Sequence, residues 1–324
     1  PRYDIGSNFR FTKKHQGGIV QNDEKPFQTT VAFHLAGIIP IAGQPLDFKM
    51  DFPDCMMPIN ENYTLIEHSV YECALAGCET IWLICNDDIA PLVRHRIGDY
   101  IQDPVYINRK SMFPSMNRVR IPIFYVPIHP KDRDKRDCLA WSVIHGALAS
   151  LKVASQISKW LIPDKYYVSF PYGVFPAEEV REHRKKISSK KNFYVASQGN
   201  TVQDNFYCSF TFGKEEFIKY RRNIRQKGTG MYTMDEVDER GIPRSILPLD
   251  QRYSARFFDL KDVFTNLDLD SALVIEPTDF MNVSSWSEYR EYMSSPLSEK
   301  IVRPWKGIMK YKESNPIGVD PSDE

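Results

Sequence analysis

The segment from residue 39 to residue 85 constrains the fold more than any other part of the chain. Its pattern predicts a short buried strand at 39–41, an amphipathic helix at Leu65–Ala76 and a second apolar strand at Thr80–Cys85. A turn of two small residues, Ala42-Gly43, directly follows the first strand. Such a glycine turn is how α/β proteins place backbone N–H groups beside a nucleotide phosphate. The segment therefore predicts an α/β fold with a nucleotide-binding edge.

Strand-like and helix-like segments continue to alternate along the chain, with long helical patterns at 138–161 and 178–191. This alternation is typical of a three-layer α/β sandwich with a mixed, mainly parallel sheet. The segments that we expect to lie side by side as central strands are 39–41, 80–85, 121–126 and 166–170. Ligands of such sheets bind at the carboxyl ends of the strands, so we expect the site in the loops that follow these segments.

Composition divides the chain into a core and two extensions. We predict an N-terminal arm at 1–27, an α/β domain at 28–293 with an irregular insertion at about 228–256, and a C-terminal tail at 294–324. The extensions carry isolated large side chains, namely Tyr3, Phe9, Phe11, Trp305 and Tyr311. Because such segments bury too little to form a core, we expect them to contact a protein partner or a second copy of the chain.

Charge and hydropathy exclude several classes of protein. Lysine plus arginine and aspartate plus glutamate both number 42 in the 324 residues, so the formal net charge is zero. A balanced surface disfavours nucleic acid or an anionic membrane as a partner. No run approaches 18 consecutive apolar residues, so we expect no membrane span.

The six cysteines form no Cys-x-x-Cys pair, and several fall within apolar patterns. This distribution predicts reduced thiols in the core rather than a zinc site or disulfides. It favours a cytoplasmic location, with a virion as the alternative setting.

Several polar residues have both a chemical and a structural interpretation. Lys49 could supply a cation to a phosphate, and the acidic residues Asp47, Asp51 and Asp54 could hold a metal, but solvated loop residues are the favoured interpretation of both. His68 lies on the predicted first helix and is expected to be a packed side chain rather than a catalytic base.

The loop that contains His129, Asp132 and Asp134 resembles a metal or acid–base cluster, but it is rich in lysine and arginine, so a solvated loop is favoured. The basic runs at 181–191 and 221–227 could contact nucleic acid, and here a solvated helix face is favoured because glutamates lie nearby.

The opening segment carries a family resemblance. Ala42-Gly43, Pro53 and the run Met57-Pro58-Ile59, followed by the helix and strand of residues 64–84, resemble the sugar-1-phosphate nucleotidyltransferases, most closely the UTP–glucose-1-phosphate uridylyltransferases. The resemblance implies a Rossmann-like, GT-A-like fold. It also implies a nucleotide site at Ala42, Gly43, Gln44 and Lys49, and a sugar-side pocket at Tyr172, Gly173 and Asn282.

The chain departs from the family where the family has its chemistry. The phosphate-wrapping Gly-x-Arg is replaced by 44–48, the family lysine by Asp54, and the base-recognition glycines by 136–138. Gly173 stands in place of one metal-binding aspartate and Asn282 in place of the other. A divalent cation bound to phosphate prefers anionic oxygen ligands. We therefore assign no catalytic residue, no metal ligand and no cofactor.

The interpretation that follows is a pseudoenzyme: a nucleotidyltransferase-like protein that has lost the formation of nucleotide sugars and serves in binding or assembly, for example as a structural protein of a tailed phage. One alternative is an active nucleotidyl- or glycosyl-transferring enzyme with a rearranged site built on Lys49, the loop carboxylates and Tyr172. That enzyme would require Mg²⁺. Another alternative is a sensor that binds a nucleotide or a nucleotide sugar without turnover.

Overall fold

An eight-stranded sheet runs through the chain, and helices cover both of its faces. The computed structural model describes residues 33–43, 48, 50–107, 120–129, 132, 138–157, 162–228, 258–304 and 308–309. The predicted N-terminal arm lies outside these residues, as do almost all of the predicted insertion and most of the predicted tail.

The strands and helices are numbered in chain order. The strands are β1 (Leu35–Pro40), β2 (Pro58–Asn60), β3 (Tyr63–Thr64), β4 (Thr80–Cys85), β5 (Tyr100–Gln102), β6 (Arg120–Pro127), β7 (Lys165–Val168), β8 (Gly173–Val174), β9 (Phe193–Val195), β10 (Phe210–Phe212), β11 (Leu273–Ile275) and β12 (Met281–Asn282). The helices are α1 (Leu65–Ala76), α2 (Ala90–Ile97), α3 (Pro104–Ile107), α4 (Leu139–Ile157), α5 (Glu178–Ile187), α6 (Lys214–Gly228), α7 (Leu260–Val263), α8 (Trp286–Ser294) and α9 (Pro296–Lys300).

The strand order of the main sheet is β11-β9-β10-β7-β1-β4-β6-β5. Strand β1 pairs in parallel with both β4 and β7, and β4 pairs in parallel with β6. Strand β10 is antiparallel to its two neighbours, and β5 is antiparallel to β6. The prediction of a mixed, mainly parallel sheet, with four particular segments as neighbouring central strands, is confirmed.

Helix α1 begins and ends where its sequence predicts. The carboxylate of Glu67 accepts a hydrogen bond from the backbone N–H of Thr64 at 3.0 Å, which satisfies a donor that the first turn leaves free. Gly77 ends the helix in a left-handed conformation with φ of 94°. The prediction of an amphipathic helix is wrong, because every residue of α1 is buried. Polar side chains such as Glu72 are therefore enclosed by protein rather than exposed to solvent.

The described part of the predicted tail packs against the core. The amide of Asn60 donates to the carbonyl of Ile301 at 2.6 Å, and Arg303 lies 3.4 Å from the carboxylate of Glu67. The carbonyl of Ile308 accepts a hydrogen bond from the N–H of Gln102 at 2.9 Å, which extends the contact to strand β5. The described tail residues 301–304 and 308–309 thus belong with the α/β unit.

All six cysteines are buried free thiols, in agreement with the predicted core thiols.

His68 is also buried, and its Nε2 lies 2.9 Å from the carbonyl oxygen of Phe175. Burial lowers the pKa of this histidine to about 4, as expected for a packed neutral side chain. Within the described ranges, we find no helix that is both long and apolar enough to cross a bilayer.

Helix α4 lies close to the sheet at Gly146. A Cβ atom at this position would lie 2.7 Å from Cδ1 of Ile84 and 3.0 Å from Cγ2 of Ile38. We expect Gly146→Val to destabilise the protein by about 1–3 kcal/mol, because extra methyl groups would force the helix away from β1 and β4. Urea unfolding measures the change. Ala149→Val, at a half-buried position of the same helix, is the control, and equal losses in the two variants would contradict the close approach.

Candidate functional site

The carboxyl ends of β7, β1, β4 and β6 lie side by side, because these strands are neighbours and run parallel. Neighbouring strands are about 4.8 Å apart, so the loops that follow them form one continuous edge. Ala42 and Gly43 follow β1, Asn86 and Asp87 follow β4, and the segment leading to Tyr172 follows β7. This carboxyl edge is where an open α/β sheet binds its ligand.

The turn after β1 directs its backbone groups into the protein. The N–H groups of Ile41 and Ala42 both donate to the carbonyl of Ile84, at 3.0 and 2.8 Å. The carbonyl of Ala42 in turn accepts a hydrogen bond from the hydroxyl of Ser142, on helix α4. The N–H groups of Ile41 and Ala42 are therefore used within the sheet. The nucleotide site at Ala42, Gly43, Gln44 and Lys49 stays a prediction.

Gly43 lies against the first residue of helix α4. A Cβ atom at Gly43 would be 3.0 Å from the backbone nitrogen of Leu139 and 3.2 Å from the carbonyl carbon of Cys138. Any side chain at this position would therefore push the turn away from the helix. Gln44 and Lys49, which complete the predicted nucleotide site, lie outside the described residues.

Tyr172, Gly173 and Asn282 come together, as the sequence predicts. Strand β8 pairs antiparallel with β12, which sets Gly173 opposite Asn282. The N–H of Val283 donates to the carbonyl of Tyr172 at 2.7 Å and extends the pairing by one residue. The segment that follows β7 and the segment that precedes α8 therefore form one unit at the carboxyl edge.

A third segment, at Tyr207, fills the space around Gly173. A Cβ atom at Gly173 would lie 2.1 Å from the backbone carbonyl oxygen of Tyr207 and 3.2 Å from the ring of Phe280. The N–H of Tyr207 donates to the side-chain oxygen of Asn282 at 3.2 Å. Position 173 thus has no room for a carboxylate, and the amide oxygen of Asn282 is already hydrogen-bonded. These two positions do not fit the divalent cation that the fold family implies.

Tyr172 is buried, with only 4% of its surface exposed. Burial, followed by the nearby Cys55 and Asp54, raises the pKa of Tyr172 well above its usual range. The hydroxyl of Tyr172 therefore stays protonated at any ordinary pH. A buried phenol of this kind suits packing rather than proton transfer.

Two buried thiols of this edge, Cys55 and Cys85, have aspartate carboxylates nearby. Burial raises the pKa of Cys55 to about 12, with Cys85 and Asp54 adding to the effect. Burial likewise raises the pKa of Cys85 to about 12, and here the nearby carboxylates of Asp87 and Asp88 contribute. Asp54, Asp87 and Asp88 therefore lie near the buried thiols of this edge.

The sequence patterns did not indicate two residues that lie in this region, Asn86 and Tyr207. Asn86 directly follows the central strand β4, and its side-chain oxygen is buried without a hydrogen-bond partner among the described residues. Its place after a predicted central strand was the available signal. Tyr207 carries no such signal, because it reaches Gly173 only through the folding of a distant segment.

The acidic groupings proposed from sequence form no metal site in the part of the chain that the structure describes. No cluster of three or more histidine, cysteine, aspartate or glutamate side chains is arranged to hold a metal there. In the loop after β6, the N–H of Asp132 donates to the carbonyl of His129 at 2.7 Å, as in an ordinary turn. Asp47 and Asp134 lie outside the described residues.

A cavity of about 220 Å³ lies at a different place, between strand β9, the first turns of α6 and the loop after α7. Its lining includes Tyr194, Glu216, Lys219 and Asp268. Strand β10 ends beside the start of β7, which places this cavity toward the amino ends of the parallel strands. It is therefore separate from the carboxyl edge.

Comparison with known proteins identifies the fold. No family model matches the sequence, and no curated protein matches it. A solved structure described as a glucose-1-phosphate thymidylyltransferase from Bacillus anthracis, in complex with sucrose, matches with a TM-score of 0.50 at 10% sequence identity, covering 84% of this chain and 98% of that one. An apo UDP-glucose pyrophosphorylase matches with a TM-score of 0.44 at 10% identity, covering 83% of this chain and 100% of that one.

A nucleoside-diphosphate-sugar pyrophosphorylase from Vibrio cholerae matches with a TM-score of 0.41 at 14% identity, covering 80% of this chain and 100% of that one. The match to the thymidylyltransferase shows that the chain has the fold of the sugar-1-phosphate nucleotidyltransferases, as its opening segment predicts. Identities this low establish the fold alone.

The contact at Gly173 gives a direct test by mutation. We expect Gly173→Ala and Gly173→Asp each to destabilise the protein by about 3 kcal/mol or more, because any Cβ atom collides with the backbone of Tyr207. The free energy of unfolding in urea measures the loss. Gly213→Ala is the control, since its Cβ would meet only the tip of Glu216 and should cost about 1 kcal/mol or less. A Gly173→Asp variant with full stability would contradict the packing.

Proposed function

We propose that this protein is a non-catalytic descendant of the sugar-1-phosphate nucleotidyltransferase fold that acts in binding or assembly. The observation that carries the proposal is the backbone of Tyr207, which occupies the space that an acidic side chain at position 173 would need. A glycine in an open pocket could be reverted by a single mutation. Here the backbone of Tyr207 fills the space beside residue 173. A carboxylate could be restored at this position only if the Tyr207 segment moved as well.

Electrostatics support the same conclusion. Phosphoryl-transfer chemistry depends on cations that position and neutralise the phosphates. In this chain, Asp54 stands where the resemblance implies a lysine, and Asp87 and Asp88 lie near the same edge. The removal of one stabilising group from an active site typically costs 10²–10³ in rate. Several such changes together are incompatible with efficient turnover.

We expect no release of pyrophosphate when the protein is incubated with UTP or dTTP, glucose 1-phosphate and Mg²⁺. The double variant Asp54→Lys with Asn282→Asp should also be inactive. It should fold, because an aspartate at 282 can still accept the hydrogen bond from Tyr207, but it restores neither the missing arginine loop nor a carboxylate at 173. A coupled pyrophosphate assay measures turnover, and a crystallised homologue with known activity is the positive control.

Two outcomes would favour one of the functional alternatives. Robust Mg²⁺-dependent pyrophosphate release by the unmodified protein would overturn the proposal in favour of an active enzyme with a rearranged site. A thermal shift with UTP or UDP-glucose, without turnover, would favour a sensor.

The assembly role rests on the terminal segments. Residues 1–27 and 310–324 contain isolated aromatic side chains in polar sequence, which suits contact with a protein partner or with a second copy of the chain. A structural component of a phage particle is one setting for such a role. Ile301, Ile308 and Met309 are buried, so any truncation should keep the chain up to residue 309.

Deletion of residues 1–27 and 310–324 together should leave the melting temperature of the α/β core almost unchanged and should weaken self-association. Thermal unfolding and analytical ultracentrifugation measure the two properties. The full chain at the same concentration is the control. Self-association as strong as that of the full chain would remove the support for assembly through the termini.

A further inference from the structure

Helix α1 carries a carboxylate that the proposed function does not use. Glu72 is 0% exposed, in the middle of a helix that is buried on every side. Its Oε1 accepts a hydrogen bond from the hydroxyl of Tyr167 at 2.6 Å, and its Oε2 accepts one from the hydroxyl of Ser169 at 2.8 Å. Ser209 supplies a further hydrogen bond. Glu72 therefore joins helix α1 to two different segments of the sheet.

These two segments lead to the contact between Gly173 and Tyr207 at the carboxyl edge of the sheet. Ser169 directly follows β7 and begins the stretch that leads to Gly173. Ser209 comes two residues after Tyr207, whose carbonyl lies against Gly173. One carboxyl group thus holds both sides of the contact between Gly173 and Tyr207.

The surroundings of Glu72 favour its neutral form. Burial raises the pKa of Glu72 from 4.5 to about 7, and the hydrogen bonds from Ser209, Tyr167 and Ser169 only partly oppose this effect. The titratable groups that face it are Cys73 on its own helix, Tyr63 before the helix, Tyr167 on β7 and Cys208 before β10. Burial raises the pKa of each of these groups, so all four are neutral near pH 7.

We propose that Glu72 is a proton-dependent latch: its protonated carboxyl group holds the segments 169–173 and 207–209 against helix α1, and ionisation of the group loosens them. In the protonated form, the carboxyl can donate one hydrogen bond as well as accept others, so the buried cluster carries no uncompensated charge. In the ionised form, a charge is enclosed among neutral groups, and any opening that lets water reach the carboxylate is favoured.

The direction of the pH effect follows from linkage. The closed state holds its proton up to about pH 7, whereas an open, solvated Glu72 loses its proton at about 4.5. The latch is therefore fully effective below about pH 4.5 and weakens as the pH rises. The opening equilibrium should increase by up to about tenfold per pH unit between these two values and should level off above about pH 7.

Hydrogen–deuterium exchange of the full chain between pH 5 and pH 8, corrected for the intrinsic exchange rate, tests the latch. We expect the opening of segments 169–173 and 207–209 to follow the predicted pH dependence in the wild type. Glu72→Gln, which cannot ionise, should abolish that dependence. Glu79→Gln, an exposed carboxylate just after the same helix, is the matched control and should behave as the wild type does.

Infrared spectroscopy of the wild type keeps the test independent of whether the variant folds. We expect a band from a buried protonated carboxyl group at pH 5 that disappears as the pH rises through about 7. If the band is absent at pH 5, or if it disappears while the exchange of both segments stays independent of pH, the latch is refuted. An unchanged pH dependence in a folded Glu72→Gln variant would refute it as well.

Discussion

The contact between Gly173 and the backbone of Tyr207 is the constraint on which the carboxyl edge of this sheet depends. It is possible only because residue 173 has no side chain, and it is fixed by the pairing of β8 with β12 and by the hydrogen bond from Tyr207 to Asn282. The same arrangement brings together the residues that the family resemblance assigns to the sugar side of a pocket. These positions are occupied by packing contacts within the chain, which is the basis of the proposal that the protein is non-catalytic.

Backbone groups in the other half of the edge are also used in contacts within the protein. The N–H groups of Ile41 and Ala42 are hydrogen-bonded to Ile84, and Gly43 lies against the start of helix α4. Backbone groups that could hold a phosphate in a related fold are here part of the sheet and its covering helix. The two halves together support the proposal of a non-catalytic protein built on this fold.

Local patterns were enough to predict the sheet but not the closure of its edge. Each central strand is a short apolar run between turns, so periodicity alone locates it, and parallel crossovers then set neighbours side by side. The contact between Tyr207 and Gly173 joins segments that are distant in the chain. Neither segment has a sequence pattern that predicts this contact. The burial of Glu72 was not predicted for a related reason. The pattern of α1 predicts an amphipathic helix only if one face meets water, and β3, α3 and α5 pack against this helix.

A crystal structure determined after soaking with UDP-glucose and Mg²⁺ at high concentration tests the central claim most directly. We predict that the carbonyl of Tyr207 remains in contact with Gly173, that Asn282 keeps its hydrogen bond to Tyr207, and that no metal or sugar density occupies the space between β8 and β12. Displacement of the Tyr207 segment, with a metal-bound nucleotide sugar in its place, would contradict the account.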